Sequence, residues 1–299
     1  MRLKQNLLSF LHVLFRGRIR KENQMGLLLA EEIGRGKKTP CRTADYTGVT
    51  ELPGNLAHKE QLSILMTRYH WAAQYARDRE VLEAACGAGQ GLGYLRRTAR
   101  RVVGGDIDPN NLTYAEASYR GRTGIELQQF DAQEMPFDDG SFDLVLLFEA
   151  IYYLPHPERF FAEAHRVLRP QGQVLVSSVN CQWPGFNPSP YSVRYYTAKE
   201  LAALAEEAGF GVQMWVGFPD RADSLRRRAI RALRRAAAAL RLIPKTMRGK
   251  AWLKRLFYGP LQPVPPELCD GLAQPEPLTP ITPSTPISLY KMLYLLGQK

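Results

Sequence analysis

Apolar residues recur along this chain in two periods, and the two periods alternate. Short runs at 81–85, 101–106, 124–130, 142–148 and 173–179 read as strands, and Val81 and Leu82 have the apolar character of a strand covered on both faces. Between them, 109–119 and 157–168 carry apolar residues at helical spacing, and another helix starts at about 89. Upstream, Leu62, Leu65, Met66, Tyr69 and Ala73 form one stripe of a helix over about 58–77, with His70 expected as a partly buried packing residue. Downstream lie a helix at 198–208, a strand at 210–217 and a last strand at 288–297. Such alternation predicts right-handed crossovers and a Rossmann-like α/β fold: a mostly parallel sheet with helices on both faces.

The run Val81-Leu82-Glu83-Ala84-Ala85-Cys86-Gly87-Ala88-Gly89 reads as a buried strand opening into a glycine turn, where Gly87 and Gly89 permit positive φ and close approach of a ligand. The glycines stand at 87, 89, 91 and 93, so the dinucleotide spacing G-x-G-x-x-G fails at Leu92, which counts against a nicotinamide enzyme. An ordinary strand-to-helix connection would explain the turn alone. Asp106 changes the balance. It closes the next strand 19 residues after Gly87, where a parallel βαβ unit delivers a carboxylate to ribose hydroxyls. Ligands of such sheets sit beyond the carboxyl ends of the strands, and Glu83, Asp106, Asp131 and Glu149 each fall at such an end.

Glu83-x-x-Cys86-Gly87-x-Gly89, Val103-Gly104-Gly105-Asp106-Ile107-Asp108-Pro109 and Phe130-Asp131-Ala132-Gln133-Glu134-Met135-Pro136-Phe137 resemble successive motifs of the class I S-adenosylmethionine-dependent methyltransferases. Ser141 to Leu146 and Arg166 to Gln173 continue the match in register. The resemblance implies a seven-stranded sheet and S-adenosyl-L-methionine as cofactor. It places Glu83, Ala84, Ala85, Gly87 and Gly89 around the methionine and ribose portions, and Asp106 on both ribose hydroxyls. Ile107 and Ala132 would lie against adenine, Asp131 on its amino group and Tyr69 beside the methionine end, with Phe148 a further cofactor-binding candidate. Asp106 or Asp131 could instead cap the following helix. Where this family commonly carries a Glu-His or His-His pair facing the substrate, this chain has Tyr152 and Tyr153, so Glu149 and Tyr152 are the candidates for acceptor contact or proton removal. The Asn/Asp-Pro-Pro-aromatic tetrapeptide of amino-group nucleic-acid methyltransferases is missing, which argues against a nucleic-acid acceptor.

Composition adds three points. With 45% hydrophobic residues, 299 residues can bury a full core. Cys41, Cys86, Cys181 and Cys269 are far apart and form no C-x-x-C, so they point to a reducing, cytoplasmic compartment and to no metal site. The net charge of +11 is concentrated: residues 221–256 hold 13 Lys and Arg against Asp223 alone, so the rest of the chain is near neutral.

The expected organisation is therefore an N-terminal amphipathic helix and loop (1–57), a methyltransferase core (58–217 with 288–299), and a basic helical and proline-rich insertion (218–287) acting as lid or docking surface. Leu3, Leu7, Leu8, Leu11, Leu14 and Phe15 give the first segment a helical stripe suited either to a membrane face or to docking on its own domain. The apolar run there is too short to span a bilayer, and no small-residue cleavage site follows. The favoured acceptor is a small molecule, a glycan or a lipid-linked group methylated at oxygen, with the basic helix touching an anionic membrane face from the cytoplasmic side. The alternatives are an RNA or protein methyltransferase using the arginines, or a binding module that keeps the fold. Neither the oligomeric state nor the acceptor's identity is legible.

Overall fold

The computed structural model describes residues 45–220, 260–282 and 285–299. The helices expected over 1–21 and 221–256 lie outside the described residues. In chain order the elements are β1 (Leu56–His58), α1 (Lys59–Ala76), β2 (Glu80–Ala84), α2 (Leu92–Arg96), β3 (Arg101–Asp106), α3 (Pro109–Tyr119), β4 (Ile125–Gln129) and β5 (Phe142–Phe148). They continue through α4 (Pro157–Val167), β6 (Leu168–Val179), α5 (Ala198–Glu207), β7 (Gly211–Pro219), β8 (Leu261–Pro263), β9 (Thr279–Ile281) and β10 (Tyr290–Gln298).

The main sheet runs β4-β3-β2-β5-β6-β10-β7-β9. The pairs among β4, β3, β2, β5 and β6 are parallel, and β10 enters antiparallel between β6 and β7. Val81 and Leu82 are both 0% exposed yet belong to the cores on opposite faces, which is why these successive positions of β2 are both apolar. One face is filled by Phe160 and Phe161 of α4 and Leu201 of α5, the other by Leu62 of α1, Leu92 of α2 and Leu112 of α3. Each such side chain contributes roughly 1.5–3 kcal/mol on burial.

The sheet has eight strands where seven were expected. The eighth, β9, comes from the proline-rich stretch and pairs with β7 at the edge of the sheet, where Pro280 faces Trp215 and, among the described residues, no further strand needs its missing N–H. Residues 260–282 also form β8, antiparallel to β1, and bury Val264 and Leu268 in the core. They are held by the ion pairs Arg122–Glu267 and Arg97–Asp270. Apolar residues between the prolines explain why this stretch lies on the core. α2 begins at Leu92 rather than at about 89, because Gly89 to Gly91 are spent in the turn. His70 is exposed rather than partly buried.

Asn180, 0% exposed, closes the rim end of β6: its Nδ2 donates to the carbonyls of Ile287 (2.9 Å) and Tyr290 (2.8 Å). The loop after it is thereby fixed at the carboxyl rim, and Trp183 in that loop donates to Asp220 at 2.8 Å, just past β7. Among the described residues no helix is long and apolar enough to cross a membrane.

Tyr294 of β10 is 0% exposed and its hydroxyl has no partner. Tyr294→Phe keeps the packing of the ring against Trp71 (5.4 Å) and removes an unpaired polar atom. Stability should rise by about 1 kcal/mol, seen as a higher denaturant midpoint at unchanged m; a lower midpoint would contradict this account of the core.

Candidate functional site

β2, β3 and β5 deliver Glu83, Asp106 and Phe148 to one rim, and Asp131 follows two residues after β4. Beyond Ala84 the backbone turns through left-handed conformations at Ala85 (φ 60°), Gly87 (φ 58°) and Gly89 (φ 76°), and the Cys86 amide donates to the Gly105 carbonyl at 2.8 Å. Two of these three are glycine, for which the conformation costs little. Gly91 is required for a different reason: a Cβ there would lie 1.8 Å from the Tyr69 ring. The Tyr69 hydroxyl donates to Glu83 Oε1 at 2.6 Å, so its first task is to hold Glu83. Glu83 is 1% exposed, and its Oε2 is buried without a partner. Burial pushes its pKa up to about 8, opposed by the Tyr69 hydrogen bond and by Arg68 and assisted by the charge of Asp106.

Asp106 is also buried, at 6% exposure. Its Oδ2 accepts from the Gly87 amide (2.8 Å) and its Oδ1 from the Asp108 amide (2.9 Å), with Asn111 Nδ2 at 3.4 Å. Burial raises its pKa, and the two amides oppose the rise. The cap of α3 is Asp108, whose Oδ1 accepts from the Asn110 amide at 2.9 Å. Asp106 is thereby free of that duty and joins the glycine turn to β3. Ile107 beside it is an exposed apolar side chain, 38% accessible. Asp131 is partly buried and closes a local turn, its Oδ1 accepting from the Gln133 amide at 2.8 Å; Ala132 is buried next to it.

On the far side of Glu83, the Phe148 ring stands edge-on to Tyr69 at 5.5 Å. Glu149 follows with φ 53°, a left-handed conformation that costs a non-glycine residue energy and turns its carboxylate inward. That carboxylate accepts from Ser177 Oγ at 3.2 Å and from the Tyr152 hydroxyl at 3.3 Å. The two candidate acceptor-side residues therefore meet. Burial raises the Glu149 pKa, while Arg68 lowers it. Tyr152 stacks on Tyr195 (4.5 Å), and Tyr153 donates to Ser189 Oγ (2.9 Å), so the loop between β6 and α5 walls this side with aromatic rings.

The segment 45–51, read from sequence as loop only, supplies residues that the motifs do not mark. The Tyr46 amide donates to Asp108 Oδ2 at 2.7 Å, and its ring meets Tyr153 at 5.6 Å and Tyr191 at 6.1 Å. Burial and the charges of Asp131, Asp106 and Asp108 raise its phenol pKa, so all three carboxylates lie around it. Thr50 accepts from Asn111 Nδ2 at 3.1 Å, and the Glu51 carbonyl accepts from Gln90 Nε2. The Glu51 carboxylate pairs with Arg68 at 2.6 Å. Arg68 did leave a signal: it is a charge inside the apolar stripe of α1, between Leu65 and Tyr69, and is 4% exposed. Tyr46 left none, because nothing in its neighbours shows what the loop covers. Among the described residues no cluster of His, Cys, Asp and Glu has the makings of a metal site.

Residues 82–176 match the family model for a methyltransferase domain. A protein of Mycolicibacterium smegmatis described as a probable S-adenosylmethionine-dependent methyltransferase is 34% identical over 175 residues, 57% of this chain and 67% of that protein. A phthiotriol/phenolphthiotriol dimycocerosates methyltransferase of Mycobacterium tuberculosis is 43% identical over 95 residues, 31% of this chain and 35% of that protein. A solved SAM-dependent methyltransferase from Thermotoga maritima shares the fold, with a TM-score of 0.50 at 15% identity over 79% of this chain and 89% of its own.

A carboxyl whose pKa is raised by folding costs stability once the unfolded chain ionises, from about pH 4.5 upward, and costs most above about pH 8. Glu83→Gln should therefore stabilise the ligand-free protein by a few kcal/mol at pH 9 and by almost nothing at pH 4. Denaturant midpoints at the two pH values check this; equal midpoints for the two proteins at pH 9 would contradict it.

Proposed function

This chain belongs to the class I S-adenosylmethionine-dependent methyltransferases, and from that premise we propose that it methylates a hydroxyl oxygen of a small or lipid-linked acceptor, with Glu149 taking the proton. The residues fit the cofactor. Glu83 has a buried oxygen with no partner, suited to the ammonium of a methionine end. The left-handed turn at Ala85, Gly87 and Gly89 leaves the backbone open to close approach. Ala84 lies at the floor of that turn, Asp106 is suited to ribose hydroxyls, and exposed Ile107 and buried Ala132 to the adenine faces. Asp131 is suited to the adenine amino group, and Phe148 with Tyr69 backs the methionine end.

When bound, S-adenosylmethionine supplies a methyl group on a sulfonium sulfur whose charge disperses as the methyl leaves. The donor is intrinsically reactive, so the protein's task is position, exclusion of water and removal of the acceptor's proton. Among the described residues, Glu149 is the one rim carboxylate with hydroxyl donors on both oxygens, Ser177 and Tyr152, and it is backed by the Arg68 charge. That arrangement carries the proposal: the two hydroxyls orient an enclosed carboxylate and, with Arg68, oppose the rise that burial imposes on its pKa. The aromatic wall of Tyr46, Tyr152, Tyr153 and Tyr195 suits an acceptor with an apolar body. The dimycocerosates methyltransferase named above is a relative with a lipid acceptor, and the basic run 221–256 suits an acceptor presented at an anionic membrane.

Methyl-labelled cofactor should place label in lipid or small-molecule hydroxyls; label found only in RNA or protein would overturn the acceptor class. With the acceptor in hand, Glu149→Gln should lower kcat by roughly 10²–10⁴-fold and leave cofactor affinity unchanged. The acidic limb of the wild-type rate profile should fall above the ordinary glutamate range, because burial raises that group. An undiminished kcat would remove Glu149 from the chemistry.

Cofactor binding should also be proton-linked. An ammonium pairs with ionised Glu83, so S-adenosylhomocysteine affinity should fall about tenfold per unit as pH drops below about 8, with close to one proton released near pH 7. Calorimetry in buffers of different ionisation heat reads the proton count. Affinity flat between pH 6 and 9 would contradict the Glu83 assignment.

A further inference from the structure

The end of α2 and the turn between α3 and β4 enclose an open cavity of about 430 Å³, lined by Arg96, Arg97, Gly121, Arg122 and Thr123. Gly124 and Arg100 immediately precede β4 and β3, so the cavity lies at the amino ends of these parallel strands, opposite the cofactor rim. Three guanidiniums converge there, and no carboxylate is among the lining residues. Like charges so gathered repel, and the fold holds each by other means. The Arg97 guanidinium lies over the Tyr94 ring at 5.2 Å, and that of Arg122 over the Tyr119 ring at 5.4 Å. Arg96 lies against Gly124, where a Cβ would come within 2.1 Å of its Nε, and its Nη1 donates to the Ala99 carbonyl at 3.1 Å. That Nε is buried and has no partner. Two carboxylates of the 260–282 stretch draw on the cluster from beside the cavity, Asp270 on Arg97 at 2.6 Å and Glu267 on Arg122. Both pairs are open to solvent, where an ion pair is worth little. Three cations against two anions leave an excess positive charge facing the cavity.

We propose that this cavity binds a phosphoryl group, held by Arg96, Arg97 and Arg122 at the end of the sheet away from the methyl-transfer site. The planar fork of a guanidinium matches the oxygens of a phosphate, and two of the three forks are already fixed in place by the rings beneath them. A phosphoryl dianion matches the excess charge better than a single carboxylate does. Asp270 and Glu267 share two of the arginines with the ligand and so act as its local competitors. A soluble phosphate ester and the phosphate of a lipid headgroup offer the same chemistry.

The test is calorimetry on the full chain with inorganic pyrophosphate at constant ionic strength. The wild type should show saturable binding. Arg96→Gln and Arg97→Gln should each weaken it roughly tenfold, the cost of one charge-assisted contact. Glu267→Gln and Asp270→Asn should each tighten it by about twofold to fivefold, because a competitor for the arginines is gone. Opposite signs from neighbouring residues separate this site from the basic run 221–256, which none of the four variants touches. Arg97 is exposed, so its replacement leaves the fold intact even if Arg96→Gln does not fold. Co-sedimentation with phosphatidic acid vesicles then identifies the source. Vesicle binding weakened by Arg97→Gln supports a lipid headgroup, and vesicle binding indifferent to it, with pyrophosphate weakened, supports a soluble ester. Absence of saturable pyrophosphate binding, or binding that all four variants leave unchanged, overturns the proposal. Weakening by all four also overturns it, since the cluster would then serve only to tie the 260–282 stretch to the core.

Discussion

A carboxylate held out of water at the end of the central strand constrains much of what surrounds it. Glu83 has almost no exposure, one hydrogen bond and one empty acceptor, so its ionised form is disfavoured until a cation arrives. Keeping it there demands a dense local structure. α1 must pass close enough for Tyr69 to donate, Gly91 must lack a side chain so that the ring fits, and Phe148 must close the other side. Stability given up at Glu83 is recovered in the apolar layers above and below β2. This is the usual division between a rigid scaffold and a strained site.

The same division explains how the parts around the rim relate. Strands end on one edge and present the carboxylates, while the aromatic loop after β6 and the segment 45–51 enclose them. The stretch 260–282 lies behind this arrangement: the Leu268 amide donates to the Gln90 carbonyl at 2.9 Å, and the Gln90 side chain donates to the Glu51 carbonyl. Gln90 sits within the glycine turn. The returning end of the long connection between β7 and β10 is thus joined by two hydrogen bonds to the segment that overlies Arg68. A lid or docking role for residues 218–287 remains a proposal, and this linkage gives it a physical route to the site.

Much of this was legible in the sequence. The buried strands announced themselves through short apolar runs, and the helix before β2 through its stripe, ending within a residue of the reading. Glu83, Asp106 and Asp131 were found because strand ends in a parallel sheet must share an edge, which turns distant positions into neighbours. The ambiguity over Asp106 as a helix cap was resolved only in three dimensions, where Asp108 takes that role. Tyr46 and Glu51 were invisible, since a loop's partners are set by tertiary closure and leave no period. Arg68 was visible but passed over: a charge inside an apolar stripe signals a buried partner without naming it. The eighth strand was missed because prolines argue against a strand except at an edge, and which strand stands at the edge is a property of the sheet order.

The measurement that bears most directly on the central claim is a crystal structure of the full chain with S-adenosylhomocysteine. The account predicts the ligand's ammonium within hydrogen-bonding distance of Glu83 Oε2 and its ribose hydroxyls on Asp106. A nucleoside lying elsewhere, with Glu83 Oε2 still lacking any ligand contact, would contradict it.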